Sequence, residues 1–360
     1  MTTLEKVSAI DGKPRRLMNG KPVFTVPART IINFKSGFGR KLLCDDMTFT
    51  TGSACAYSCS FCYVDAMQRK QREWFEEHGV EYPEAGHAGV VIRNENPIEI
   101  ARKQILSKPW EFRNSPKVIY SSPKADVAAN MEFVRETVKM CKLILDETNW
   151  DIRLLSKSNL LPKVAQILEV ESPVGQWANP RSRNVLESPR ERDDWKYRII
   201  YGVSTGTLDD NLAMAFEEGC PLVSKRIQSL HWLQDNGFRT FGMVCPSLPQ
   251  KNYDTFAAEM YQALRGERLE HLWAEVINVR GESFDKTIKC LVDARFDDEA
   301  RRVTNVSTEK SAWEEYARDT FNAWRDLFID NPSRLRFLQY VNKDSEVWWS
   351  ERMKNGAIIL

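Results

Sequence analysis

The chain has 360 residues, 42% of them hydrophobic and 28% charged, a balance that excludes a disordered or fibrous protein. Lys and Arg number 51 against 50 Asp and Glu, so a net charge of +1 supplies no global field for nucleic acid or a membrane surface. No apolar run approaches the ~20 residues of a bilayer span. The opening Met1-Thr2-Thr3-Leu4-Glu5-Lys6 lacks a signal-peptide core, so the expected compartment is cytoplasmic, where thiols stay reduced.

Residues 1–45 form a basic N-terminal extension, with nine Lys or Arg against three Asp or Glu. Within it, 23–26 and 30–34 read as short strands and Gly37 and Gly39 as a turn. The first core strand is expected over 47–51, and Gly52-Ser53-Ala54 then opens a cysteine-bearing loop. Beyond it strands and helices alternate. Strands are predicted over 117–121, 151–155, 198–204, 238–245 and 271–279. Helices are predicted over 129–146, after 159 to about 170, over 221–236 and over 252–265. Met131, Val134, Val138, Cys141 and Leu145 recur at the helical period, which puts Cys141 on a core face. Ile227, Leu230 and Leu233 point inward before the Asn236-Gly237 stop signal.

Such alternation predicts an α/β protein with a parallel sheet under covering helices. Six such strands make a partial (βα)6, TIM-like barrel over 46–280, and parallel barrels carry their sites at the C-terminal strand ends. Here those ends read Thr50-Thr51, Ser121-Ser122, Ser156-Lys157, Ser204-Thr205 and Cys245. A charged insert, 172–198, holds six basic and four acidic residues, Arg181, Arg183, Arg190 and Arg192 among them. It reads as a lid or a solvated loop. Region 281–360 reads as mainly helical. From about 308 the chain is expected to turn helical, and Trp313, Tyr316, Ala317, Phe321, Trp324 and Phe328 form one apolar stripe, with Ser311 and Glu314 as a capping box. The terminal Trp348-Trp349 and Ile358-Ile359-Leu360 suit either the barrel bottom or a dimer contact.

Cys55, Cys59 and Cys62 stand apart from Cys44, Cys141, Cys220, Cys245 and Cys290 in the run Cys55-Ala-Tyr-Ser-Cys59-Ser-Phe-Cys62-Tyr63. Three thiolates on one short loop can converge on one metal centre. An iron–sulfur cluster of four irons usually takes four cysteines, so three leave one iron open. A structural zinc site is the plainer alternative. It needs a fourth ligand from Cys44 or from His78, His87, His231 or His271, and no second CxxC or HxxxH supplies one. Disulfides conflict with the compartment and leave one cysteine of the cluster unpaired.

C-x3-C-x2-C with an aromatic before the third cysteine, after a strand near the start of an α/β chain, resembles the radical S-adenosylmethionine (SAM) superfamily. The resemblance implies a 4Fe–4S cluster on Cys55, Cys59 and Cys62. It also implies SAM on the open iron and cleavage of SAM to a 5′-deoxyadenosyl radical that abstracts hydrogen from a substrate. Leu155-Ser156-Lys157-Ser158, Tyr201-Gly202-Val203-Ser204, the stretch from Glu217 to Arg226 and Gly242-Met243-Val244-Cys245-Pro246 are similar in order and spacing to spore photoproduct lyase and its relatives, over roughly 46–280. By that likeness Phe61 contacts adenine, Lys157 pairs with the SAM carboxylate, Ser204 bonds SAM and Arg226 contacts an anion. Tyr63 matches a tyrosine of a radical relay. Taken singly, Phe61 and Tyr63 also suit packing, Lys157 a solvated charge and Ser204 a turn.

The lyase's catalytic cysteine has no counterpart here. After the second barrel strand the chain reads Tyr120-Ser121-Ser122-Pro123-Lys124. A serine O–H is too strong to donate hydrogen as a thiol does, so DNA repair by that route is disfavoured and Cys245 becomes the substitute donor to consider. The expectation is a radical SAM enzyme acting on a small-molecule, nucleotide- or amino-acid-derived substrate, with a flavodoxin- or ferredoxin-type electron donor. The alternatives are a lyase-like nucleic-acid repair enzyme and a non-catalytic zinc- or cluster-binding interaction protein.

Overall fold

Sixteen segments pair as strands among the residues that a computed structural model describes, which are 7–10, 13–37, 39, 43–121, 123–171, 195–277, 282–339 and 345–359. In chain order they are Val7–Ile10 (β1), Lys13–Met18 (β2), Lys21–Val26 (β3), Ile32–Asn33 (β4), Met47–Phe49 (β5), Gly52–Ala54 (β6), Ser58–Cys59 (β7) and Val91–Asn94 (β8). Lys117–Ser121 (β9), Trp150–Ser156 (β10), Ile199–Ser204 (β11), Glu217–Glu218 (β12), Arg239–Ser247 (β13), Leu272–Val276 (β14), Leu335–Gln339 (β15) and Ala357–Ile359 (β16) follow.

The main sheet runs β4-β5-β9-β10-β11-β13-β14-β15-β16. From β5 onward every neighbouring pair is parallel, and β4 is antiparallel to β5. This is the parallel α/β sheet that the alternation predicts. Side chains alternate between the two faces. Ile119, Leu154, Tyr201, Val244 and Ala274 point to one face, and they bury there with helices such as Met131–Glu147 and Val223–Asp235. Burial of Ile119, Leu154 or Val244 contributes about 1.5–3 kcal/mol each. Tyr120, Ile200, Phe241, Met243 and Trp273 share the opposite, inner face in a smaller cluster. Gly202 belongs to that face too. A Cβ there would lie 2.1 Å from the Phe241 ring, so glycine lets the ring cross β11.

A second sheet, β1-β2-β3-β8-β6, is built largely from the N-terminal extension. The β2–β3 hairpin turns at Asn19-Gly20, both at positive φ, a two-residue signal in the sequence that the strand reading passes over. The expected strand at 30–34 shrinks to Ile32–Asn33, because Ile31 N and Ile32 N both donate to the Gln104 side chain.

Three features depart from expectation. Helices begin at 283 rather than near 308, as Ser283–Asp293 and Asp297–Thr308 precede Lys310–Leu327. The Ser311–Glu314 capping box does not form. The helix already starts at Lys310 after Glu309, so Ser311 lies inside the first turn, and Glu314 pairs with Arg318 instead. The chain end does not stay helical either: β15 and β16 extend the parallel sheet, and the Trp349 ring stacks on Phe337, 5.7 Å between centroids. The apolar stripe is buried at Tyr316, Ala317, Phe321 and Trp324. Residues 172–194 of the charged insert and Ser122 lie outside the described residues. Among the described residues no helix is long and apolar enough to cross a membrane.

Candidate active site

The cysteine loop is pinned at both ends. Cys55 follows β6, which pairs antiparallel with β8, and Cys59 lies in β7, antiparallel to β12. Between them the N-terminal hairpin holds the backbone. Lys21 Nζ donates to Tyr57 O at 2.8 Å and Asn19 Nδ2 to Ala56 O at 3.3 Å. Cys62 N donates to Cys59 O at 3.2 Å, just before the helix Val64–Arg69. Cys55, Cys59 and Cys62 all line one cavity of about 390 Å³ at the C-terminal ends of β9, β10, β11, β13 and β14.

The donor set suits an iron–sulfur cluster. All eight cysteines are free thiols. Among the described residues no three His, Cys, Asp or Glu side chains converge on one point. A single ion must touch every ligand at about 2.3 Å, whereas a four-iron cluster gives each cysteine its own iron, so its three sulfurs need not meet at one point. The surroundings favour thiolate at Cys59 and oppose it at Cys55. Asp126 N donates to Cys55 Sγ at 3.4 Å. Cys220 Sγ lies 3.6 Å from Cys59 Sγ, and that hydrogen bond, aided by the Lys157 and Arg226 charges, pulls the Cys59 thiol down. Burial, with Asp126 beside it, pushes Cys55 up to about 12, so iron would have to displace its proton. His87 is 2% exposed and lines the same cavity. Burial alone would lower His87, but Asp65 and the Cys62 sulfur raise it to about 9.

Strand alternation aims the remaining groups. On β10, β11, β13 and β14 the inner-face register ends in Lys157, Ser204, Cys245 and Glu275, and all four line the cavity. Lys157 Nζ bonds Glu217 Oε1 at 2.6 Å and Cys245 O at 3.2 Å, and it stands 5.2 Å from the Phe61 ring centre. Arg226 reaches the other Glu217 oxygen at 2.5 Å. Burial would push Glu217 up, but Lys157 and Arg226 together hold it below the usual carboxylate range. Two cations on one carboxylate leave a net +1 facing a ligand, and partial desolvation strengthens that charge.

Every cavity-lining residue that the sequence singles out is therefore gathered here: Phe61, Tyr63, Lys157, Ser204 and Cys245 beside the three cysteines. Ser204 Oγ donates to Cys245 O at 3.5 Å, and the Tyr63 hydroxyl donates to Pro123 O. Arg226 is not in the cavity wall. It lies behind Glu217, 1% exposed, with further bonds to Pro221 O and Ser204 O. Sequence reasoning gives no site role to Asp126 or Glu275, names Glu217 and Cys220 only within a motif or as a scattered thiol, and weighs His87 only as one of four histidines for zinc. Glu275 carries a findable signal, a single acid inside the apolar β14, on the Trp273 face. Its Oε2 lies 3.6 Å from Cys245 Sγ. Asp126 accepts from Ser156 Oγ and Lys157 N, each at 2.7 Å, contacts that only the folded chain creates.

No family model matches the chain, and no curated protein matches it in sequence. Solved structures of spore photoproduct lyase do match. One, a cysteine-to-alanine mutant with dinucleoside spore photoproduct, aligns at TM-score 0.50 and 13% identity over 82% of this chain and 75% of that one. A tyrosine-to-phenylalanine mutant aligns at TM-score 0.49 and 12% identity, over 90% and 87%. A double mutant with bound AdoMet and dinucleoside spore photoproduct aligns at 0.48 and 13%, over 76% and 68%. The chain has a spore photoproduct lyase-like fold.

Proposed function

We propose that this chain is a radical SAM enzyme acting on a nucleotide- or amino-acid-derived substrate. The observation that carries the reading is the meeting of Cys55, Cys59 and Cys62 with Lys157 and Ser204 in one cavity at the C-terminal strand ends. The parallel sheet is read as the partial (βα)6 barrel of that superfamily, with an N-terminal sheet that braces the cysteine loop. A 4Fe–4S cluster on the three cysteines and SAM together supply, when bound, reductive cleavage of SAM to a hydrogen-abstracting 5′-deoxyadenosyl radical. A flavodoxin- or ferredoxin-type protein supplies the electron.

The chain's own residues position the reactants. Lys157, held by Glu217, presents the net positive charge to the SAM carboxylate. Arg226 acts through Glu217 and is a positioning residue. Ser204 offers its hydroxyl at the next strand end, and Phe61 offers a ring to adenine. Cys245 carries the thiol hydrogen for return to product, with Glu275 at its sulfur, and Tyr63 sits beside the third cysteine as a relay. The lyase with dinucleoside spore photoproduct supports a nucleotide-derived substrate. The serines where that lyase has its cysteine support a reaction other than its own.

Protein reconstituted anaerobically with iron and sulfide should hold about four of each and, with dithionite and SAM, release 5′-deoxyadenosine. Zinc without inorganic sulfide, or undiminished turnover in Cys59→Ala, overturns the reading.

A further inference from the structure

Charged groups on the cavity wall are nearly all matched. Lys157 is ion-paired with Glu217. Asp126 accepts from Ser156, Lys157 N and Ala128 N. His87 leans on Asp65 at 3.3 Å, and Glu275 faces the Cys245 sulfur. Lys124 is the exception among those that are buried or half-buried. It lines the cavity half-buried, and its ammonium makes no hydrogen bond or ion pair to a described residue. Burial alone lowers its pKa, with no charged neighbour opposing. A desolvated cation without a partner is costly, so an anion placed there is strongly favoured.

The backbone around Lys124 is held on both sides. Pro123 O accepts the Tyr63 hydroxyl. Two residues later Asp126 is tied to Cys55 Sγ, Ser156 and Lys157 N. Lys124 therefore rides on a segment fixed to the cysteine loop, and that preorganisation lowers the entropy lost on binding. Lys70, exposed on the same cavity wall, adds a second positive charge.

Resting on the radical SAM reading above, we propose that Lys124 is the contact for an oxyanion of the substrate, a phosphate or a carboxylate. The SAM carboxylate has its own cation in Lys157. One charge-assisted hydrogen bond corresponds to about a tenfold or greater gain in affinity.

The test is equilibrium binding to the full chain. The probes are a deoxynucleoside 5′-monophosphate, the same nucleoside without phosphate, N-acetylglycine and S-adenosylhomocysteine. The wild type should bind the monophosphate or N-acetylglycine at least ~10-fold more tightly than the uncharged nucleoside. Which of the two it prefers identifies the oxyanion. Lys124→Gln should erase the preference and Lys124→Arg should keep it, while S-adenosylhomocysteine binds all three proteins alike. Equal binding of charged and uncharged probes overturns the assignment, as does a preference that survives in Lys124→Gln. A parallel loss of S-adenosylhomocysteine binding in Lys124→Gln overturns it too, because Lys124 would then serve SAM. Failure here with 5′-deoxyadenosine still formed sinks only this inference. Absence of 5′-deoxyadenosine with the oxyanion preference intact sinks the radical SAM reading instead.

Discussion

The inner face of the main sheet buries cations at both ends, and the two ends solve the problem differently. Where the strands finish, Lys157 and Arg226 share Glu217, leaving a net positive charge beside a cavity. Nearer their start, Arg153 Nη1 lies 2.8 Å from His271 Nε2, and His271 stacks on Phe241 at 5.0 Å between centroids. Burial, then the Arg153 charge, drives His271 well below its ordinary pKa, so it stays neutral and accepts from the guanidinium. Burial lowers Arg153 to about 10. One end keeps a charge available to a ligand, whereas the other closes its cation under rings. The same alternation of side chains serves reactivity at one end and packing at the other.

The largest effect expected at the cavity end is from Cys59→Ala. It should abolish the iron–sulfur absorbance after reconstitution, whereas Cys141→Ala, on a core helix face, should leave the absorbance in place. Next is Glu217→Ala, which strands two buried cations. A loss of about 3–5 kcal/mol in urea unfolding is expected, and a loss below 1 kcal/mol would remove Glu217 as the keystone of that network. Lys157→Met should weaken S-adenosylhomocysteine binding roughly tenfold, while Arg153→Met leaves it unchanged; equal losses would erase the contrast between the ends. The smallest effect is a pH dependence at the closed end. The unfolded His271 takes up a proton below about pH 6.5 and the folded one does not. Its stabilising contribution is therefore complete above pH 6.5 and falls as pH drops, by at most about 1.4 kcal/mol per pH unit. His271→Gln should flatten that slope in denaturation measured between pH 7.5 and 5.5.

Much of this arrangement can be read along the chain. The three-cysteine spacing marks the loop, and the strand-end residues Lys157, Ser204 and Cys245 follow from period-two alternation in apolar strands. The capping box fails because Ser311 and Glu314 match a local pattern, while the helix already starts at Lys310 with Glu309 as its N-cap. The strand β15 lies beyond three consecutive helices, and nothing in its own residues says that it docks beside β14. Glu217 looks like an ordinary helix-end acid. Its role exists only because β12 pairs with β7, which brings it between Lys157 and Arg226.

Residue order alone settles what depends on neighbours in the chain: which segments alternate at period two or 3.6, where the thiols cluster, and which polar residue ends each strand. The partners of buried charges were decided by the tertiary structure, since Glu217, Asp126 and His87 are tens of residues from Lys157, Ser156 and Cys62, which they face. A side chain's chemistry is local, but its solvation and its counter-charge belong to whatever folding sets beside it, and in a low-dielectric cavity those two determine what the group can do.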